Sequence, residues 1–297
     1  MILKYTKKKE DNYETVRQVL KQEFFISSNL LTDLRKNKLV FVNGNSTYLD
    51  FKLQESDVVT VDFDLIDEDC SNIIPIKMNL DILYEDEYLL IINKPAGIPV
   101  HPSMLHFEDS LSNGVKYYFD NINLKKKIRP VNRLDRNTSG IVIFAKNAYI
   151  HSRLSYLMEK NQFKKEYIAI CEGMFVDTDG TINAPIARKD NSIIERCVRS
   201  DGDVAITHYS VIENYCIDNH NVALVKILLE TGRTHQIRVH MAYIGHPILG
   251  DSLYGNASNL INRQALHSYS IEFKHPITGK KLTITANLPE DMKMLIK

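Results

Sequence analysis

The sequence predicts an α+β protein, one large domain preceded by a small unit, and three observations carry this. The chain has 297 residues, enough to bury a sizeable core. Its apolar and charged shares, 44% and 25%, are those of a soluble globular protein. Segments of helical and of strand period are mixed along it without strict alternation, which argues for α+β over a doubly wound α/β sheet.

The small unit comes first. Val16, Val19, Leu20 and Phe24 fall at helical spacing. Ser27, Ser28 and Asn29 offer a cap before a second helix carrying Leu30, Leu31 and Leu34. Residues 39–42 read as a strand ending in Asn43-Gly44, a tight-turn pair, and residues 58–61 as another strand. The acidic stretch from Asp62 to Asn72 reads as a linker. Beyond it, residues 89–92, 141–145, 167–171, 205–212 and 222–229 read as strands. Residues 109–118 and 148–159 read as helices, the second with Ile150, Leu154, Leu157 and Met158 on one face. Thr234 can cap a helix with Ile237, Met241 and Ile244 inward and Gly245 as its stop.

Net charge is zero, so bulk charge does not announce a nucleic-acid binder. The local pattern is less neutral. Lys125, Lys126, Lys127, Arg129, Arg133 and Arg136 crowd one segment; Lys160, Lys164 and Lys165 crowd another. Cys70, Cys171, Cys197 and Cys216 have no metal-type or redox spacing and suit a reduced, cytoplasmic protein. No apolar run is long enough to span a membrane, and the N-terminus lacks a signal-peptide core.

The most informative stretch runs from Arg129 to Gly140. It sets one carboxylate, Asp135, between Arg133 and Arg136, ahead of Thr138-Ser139-Gly140 and a buried strand. An acid so placed should stay ionised, which suits a nucleophile or an electrostatic stabiliser. Taken alone, the stretch also fits a surface salt-bridge cluster. Ser139 has no evident His–Asp partners, so the Thr-Ser-Gly residues are assigned to shaping a turn. His235 and His240, and His101 and His106, match no zinc pattern, so no metal site is expected.

These residues resemble the catalytic motif of the RluA family of RNA pseudouridine synthases, usually His-Arg-Leu-Asp-x-x-Thr-Ser-Gly. Asn132 departs from it, standing where the family usually has His. Three more segments match in the family's order. They are Asp86 to Gly97 with Val100-His101-Pro102; Lys164-Lys165-Glu166-Tyr167-Ile168-Ala169; and Thr231 to His240 with Gly245 to Asp251. The resemblance covers about residues 80–275 and implies a central mixed, largely antiparallel sheet with a catalytic cleft along its face.

The chemistry implied is isomerisation of uridine in RNA, with no cofactor and no metal. Asp135 would act at the sugar, as nucleophile or as base. Arg238 would pair with it. Tyr167 would stack on the flipped base and help move a proton. Arg133 would fill or clamp the vacated stack, with Arg136, Lys94 and His235 also binding RNA. The first residues resemble the alpha-L (S-four type) RNA-binding module of many relatives. The implied organisation is therefore module 1–70, linker 71–80 and catalytic domain 81–297. A monomeric enzyme of large-subunit ribosomal RNA is expected, on the module and on analogy. One rival is a hydrolase pairing Asp135 with Glu230 or Asp251. The other is a non-catalytic RNA-binding or ribosome-assembly protein that keeps the fold.

Overall fold

The computed structural model describes residues 1–63, 73–104 and 106–296. The first unit begins with a strand that the short apolar start did not announce, β1 (Ile2–Thr6). Helix α1 (Val16–Gln18) passes directly into a wider π-helical turn, Val19–Glu23. Helix α2 (Ser28–Lys36) follows, with Ser27 as its cap accepting from the Leu30 amide. Strands β2 (Val40–Val42), β3 (Asn45–Ser46) and β4 (Val58–Asp62) complete the unit. They form an antiparallel sheet in the order β1-β4-β2-β3.

The rest of the chain is built on a sheet that is nine-stranded among the described residues. It begins with β5 (Asp81–Glu85), β6 (Leu89–Lys94), α3 (Leu111–Asn121), β7 (Ser139–Ala145) and α4 (Ala148–Glu159). Strands β8 (Lys164–Glu172), β9 (Asp179–Asn183), β10 (Ile186–Arg188), β11 (Arg196–Val198), β12 (Ile206–Ile217) and β13 (His220–Leu229) follow. Helix α5 (Gln236–Tyr243), β14 (Leu266–Lys274), β15 (Lys281–Thr285) and α6 (Glu290–Lys293) close the chain. The order is β5-β6-β7-β14-β8-β13-β12-β9, with β15 also on β14, and β10 and β11 pair apart. Among the described residues the one parallel contact is β7 with β14, so the sheet is mixed and largely antiparallel as expected.

Strands β6 and β7 are buried on both faces, which explains their unbroken apolar runs. Leu90, Ile92, Val142 and Phe144 pack with α3 residues Leu111, Val115 and Phe119. Leu89, Ile91, Ile141 and Ile143 belong to a core that also holds Tyr149 and Leu154 of α4 and Val16, Leu20, Leu34 and Phe63 of the first unit. That unit therefore shares one core with the larger sheet instead of standing apart. The Phe63 and Tyr149 rings lie 5.1 Å apart across the junction. Of the expected linker, 71–80, residues 71 and 72 lie outside the described residues. Its last part, from Ile73, packs on α3: Ile73, Met78 and Leu80 join that core, and Asn113 donates to the Ile74 carbonyl.

Candidate active site

The site forms where β7 and β14 part. They pair only at Ser139 and Gly140 against His267 and Ser268. Gly140 is required there: its φ is +112°, and a Cβ would lie 2.2 Å from the Ser268 carbonyl oxygen. Beyond the fork, residues 129–132 cover the free edge of β7. The Val131 amide donates to the Ile143 carbonyl, and the Ala145 amide to the Arg129 carbonyl. Asn132 continues this ladder with its side chain: Nδ2 donates to the Ile141 carbonyl at 3.0 Å, and Oδ1 accepts from the Ile143 amide at 2.8 Å. The segment is thereby pinned up to Asn132, and the next three residues swing out to present Asp135.

Asp135 meets Arg238 of α5, 103 residues away. The guanidinium NH1 donates to Asp135 Oδ2 at 3.1 Å. The rest of that guanidinium is held from behind: Nε and NH2 donate to the two oxygens of Asp251 at 2.7 and 2.8 Å. Asp251 is 1% exposed and also accepts from the Leu253 and Tyr254 amides. Burial alone would lower the Arg238 pKa. The Asp251 hydrogen bonds and charge, with the Asp135 charge, more than offset it, so the shift is upward. The Tyr254 ring lies 5.0 Å from the guanidinium carbon, within range of a cation–π contact.

Helix α5 does not begin as expected. Its cap is His235, in left-handed backbone at φ +58°, and the Thr234 hydroxyl does not cap it. That turn of the backbone leaves Thr234 exposed. Gln236 secures the turn instead, accepting from the Arg233 amide and the Thr231 hydroxyl and donating to Ile206 and Thr207. The His235 Nδ1 lies 2.7 Å from the Tyr254 hydroxyl, which itself accepts from the Arg196 amide. With the Tyr254 hydroxyl donating to Nδ1, the His235 ring carries its proton on Nε2, which faces Asp135 Oδ2 at 3.8 Å. Burial holds the His235 pKa below its usual value, with Asp135 opposing. His235 thus sits inside the site as a neutral ring rather than on a phosphate-binding surface.

Tyr167 of β8 is buried beside them. Burial pushes its hydroxyl up to about 12, partly offset by a hydrogen bond with Ser268. Asp135, Tyr167, His235 and Arg238 line one cavity of about 380 Å³, with Arg133 exposed at its edge. Arg136 is exposed too, but its Nε donates to the Gly97 carbonyl and ties the 94–98 loop to the Asp135 loop.

Lys94 is a correction. It was expected to bind RNA, yet it is fully buried, with Nζ donating to the carbonyls of Pro95, Ile98 and Arg136. An ammonium saturated in this way cannot reach a phosphate; it holds two loops together behind Asp135. Burial lowers its pKa to about 7, with Asp135 opposing.

Asp251 stood in the sequence as a rival second acid and proves to be the anchor of Arg238. Glu230, the other rival, pairs with His208 at 2.6 Å. Tyr254 and Arg263 went unnoticed. Arg263 binds Asp291 and the backbone carbonyls of Asn137, Gln264 and Leu266, tying α6 to the Asp135 loop. The word Asp251-Ser-Leu-Tyr254-Gly255, an acid and an aromatic closing the last motif, was the available signal. Among the described residues no cluster of three His, Cys, Asp or Glu could hold a metal ion, and no helix is long and apolar enough to cross a membrane. Cys70 lies outside the described residues.

Comparison with known proteins shows which family this chain resembles. The family model described as RNA pseudouridylate synthase matches residues 88–243, which carry Asp135, Tyr167 and Arg238. The chain is 42% identical over 277 residues to an uncharacterized RNA pseudouridine synthase of Bacillus subtilis (YjbO), covering 93% of this chain and 96% of that protein. It is 37% identical over 233 residues to the ribosomal large subunit pseudouridine synthase D of Pseudomonas aeruginosa, covering 74% and 71%. Among solved structures, human RNA pseudouridylate synthase domain containing 1 superposes with a TM-score of 0.60 at 25% identity, covering 70% of this chain and 83% of that one. With the motifs in order, the fold matched and the curated relatives aligned over most of their length, the chain belongs to the RNA pseudouridylate synthase family.

Proposed function

We propose that this protein isomerises uridine to pseudouridine in large-subunit ribosomal RNA, in the cytoplasm, with Asp135 as its central catalytic residue. The carrying observation is the Asp135–Arg238 contact at 3.1 Å on the wall of a cavity also lined by Tyr167. The reaction breaks the bond from ribose C1′ to uracil N1 and joins C1′ to C5. The proton that C5 loses is the only atom lost from the base carbon, and N1 gains one. Asp135 acts at the sugar of a nucleotide extruded from its stack. Arg238, itself fixed by Asp251, orients that carboxylate. Tyr167 is a phenol at neutral pH and offers a ring to the base and a hydroxyl for proton transfer.

Arg133 at the cavity edge suits a clamp on the strand that the base has left, and the exposed Arg136 a phosphate contact. Residues 1–63 act as an RNA-binding module held fixed against α4. The ribosomal substrate rests on the name of relatives such as the Pseudomonas aeruginosa enzyme. Release of tritium from RNA labelled at uridine C5 tests the reading. Wild-type protein releases it from ribosomal transcripts without free uracil, and Asp135→Asn does not. Tight binding without release would overturn the reading in favour of a non-catalytic RNA binder, and free uracil in favour of a hydrolase.

A further inference from the structure

A second groove, of about 640 Å³, adjoins the catalytic cavity, and Lys165 and Leu229 line both. Lys164, Lys165, Lys274 and Lys281 line it, with two acids, Glu230 and Glu272. Both acids are already engaged: Glu230 with His208 at 2.6 Å and Glu272 with Lys281 at 2.9 Å. Among the described residues, the side chains of Lys164, Lys165 and Lys274 make no hydrogen bond or ion pair. The groove therefore carries uncompensated positive charge.

Lys165 is the notable member. It stands two residues before Tyr167 on β8, so the two side chains share a face of the strand. Its Nζ lies 3.6 Å from where a Cβ on Gly232 would stand, at the junction of groove and cavity. Partial burial lowers its pKa, and nothing there offsets the desolvation. A half-buried ammonium without a partner is a costly arrangement that a bound anion would relieve.

We propose that this groove is a phosphodiester site for the RNA strand leaving the catalytic cavity, with Lys165 taking the phosphate next to the target uridine and Lys164 and Lys274 those beyond. The inference rests on the reading that the cavity receives uridine in RNA. A chain of phosphates fits better than a single small anion, because the three free cations are spread along an open groove that leads away from Asp135. Lysine suits the task, since a flexible point charge reads backbone and not base.

The test is binding of a dodecauridylate over a range of salt concentrations, by the intact protein and its variants. Lys165→Met and Lys274→Ala should each lower the slope of log K against log salt by about one and weaken binding by roughly tenfold at low salt. Lys165→Arg should restore most of both. Lys293→Ala, which removes a cation paired with Glu290 outside the groove, should change neither. A merely structural Lys165 would lower affinity without altering the slope, and unchanged slopes in both groove variants would overturn the proposal. Tritium release by the wild type, run in parallel, separates the two readings. Release with unchanged slopes sinks the groove alone. No release with lowered slopes leaves the groove standing and sinks the catalytic reading.

Discussion

Arg238 grips Asp251 with two parallel hydrogen bonds, 2.7 and 2.8 Å long, and reaches Asp135 with the nitrogen that remains. The stronger grip faces inward, where Asp251 is 1% exposed, and the weaker one faces the cavity. A bidentate pair fixes the plane of the guanidinium as well as its place. Asp251 is thus a positioning residue for the charge beside Asp135.

The two aspartates should separate in experiment. Asp251→Asn leaves a buried guanidinium without its anion, and breaking such a pair costs about 3–5 kcal/mol. Thermal melts should show a large loss of stability together with loss of activity. Asp135→Asn touches a part-exposed carboxylate and should melt near the wild type, while activity falls roughly a thousandfold or more. Equal melting of the two variants would contradict the anchoring role.

Asn132 replaces the His usual in the related motif, and its amide completes the edge of β7 with one donor and one acceptor. An imidazole cannot present both to neighbouring peptide groups at that spacing. Asn132→His should therefore cost about 1–2 kcal/mol of stability in urea unfolding and give no gain in activity. Higher activity in the variant would show that the amide is a defect.

Acid should weaken the fold through His267. This ring is buried, accepting from Ser139 and donating to the Ala286 carbonyl, and burial lowers its pKa to about 4. Its unfolded pKa is about 6.5. The contribution is fully present above pH 6.5 and is lost as pH falls toward 4, where the unfolded chain binds the extra proton. The full window amounts to about 3 kcal/mol. Denaturant midpoints measured across that window should fall more steeply for the wild type than for His267→Gln. Parallel curves would remove His267 as the cause.

Gly140 and Gly97 both have positive φ but should respond differently to alanine. At Gly140 the new Cβ meets the Ser268 backbone at 2.2 Å. At Gly97 it meets nothing within 4 Å. Gly97→Ala should cost only the backbone strain, about 1–2 kcal/mol. Gly140→Ala should exceed about 4 kcal/mol or fail to fold, because the fork between β7 and β14 must open. Soluble expression and melting temperature report both.

Much of the architecture was legible because it is local. Periodicity placed α4 at its observed bounds, Ala148–Glu159, and the double-sided apolar runs marked the buried strands. Asp135, Tyr167 and Arg238 each stand in a recognisable word of the sequence, and the fold brings all three to one cavity. The cap of α5 was misplaced because a left-handed residue at His235 leaves no mark in residue type.

What tertiary structure alone decided is which charges meet and which are buried. Lys94 and Lys165 look alike in sequence, each within a motif. Three carbonyls converge on the first, while an open groove surrounds the second without a partner. Asp251 could stand in the sequence as a rival second acid, but in the fold Arg238 engages both its oxygens. The physical reason is common to all of these. Propensity and pattern act over a few residues, whereas desolvation and pairing depend on groups brought together across the fold, 103 residues apart for Asp135 and Arg238.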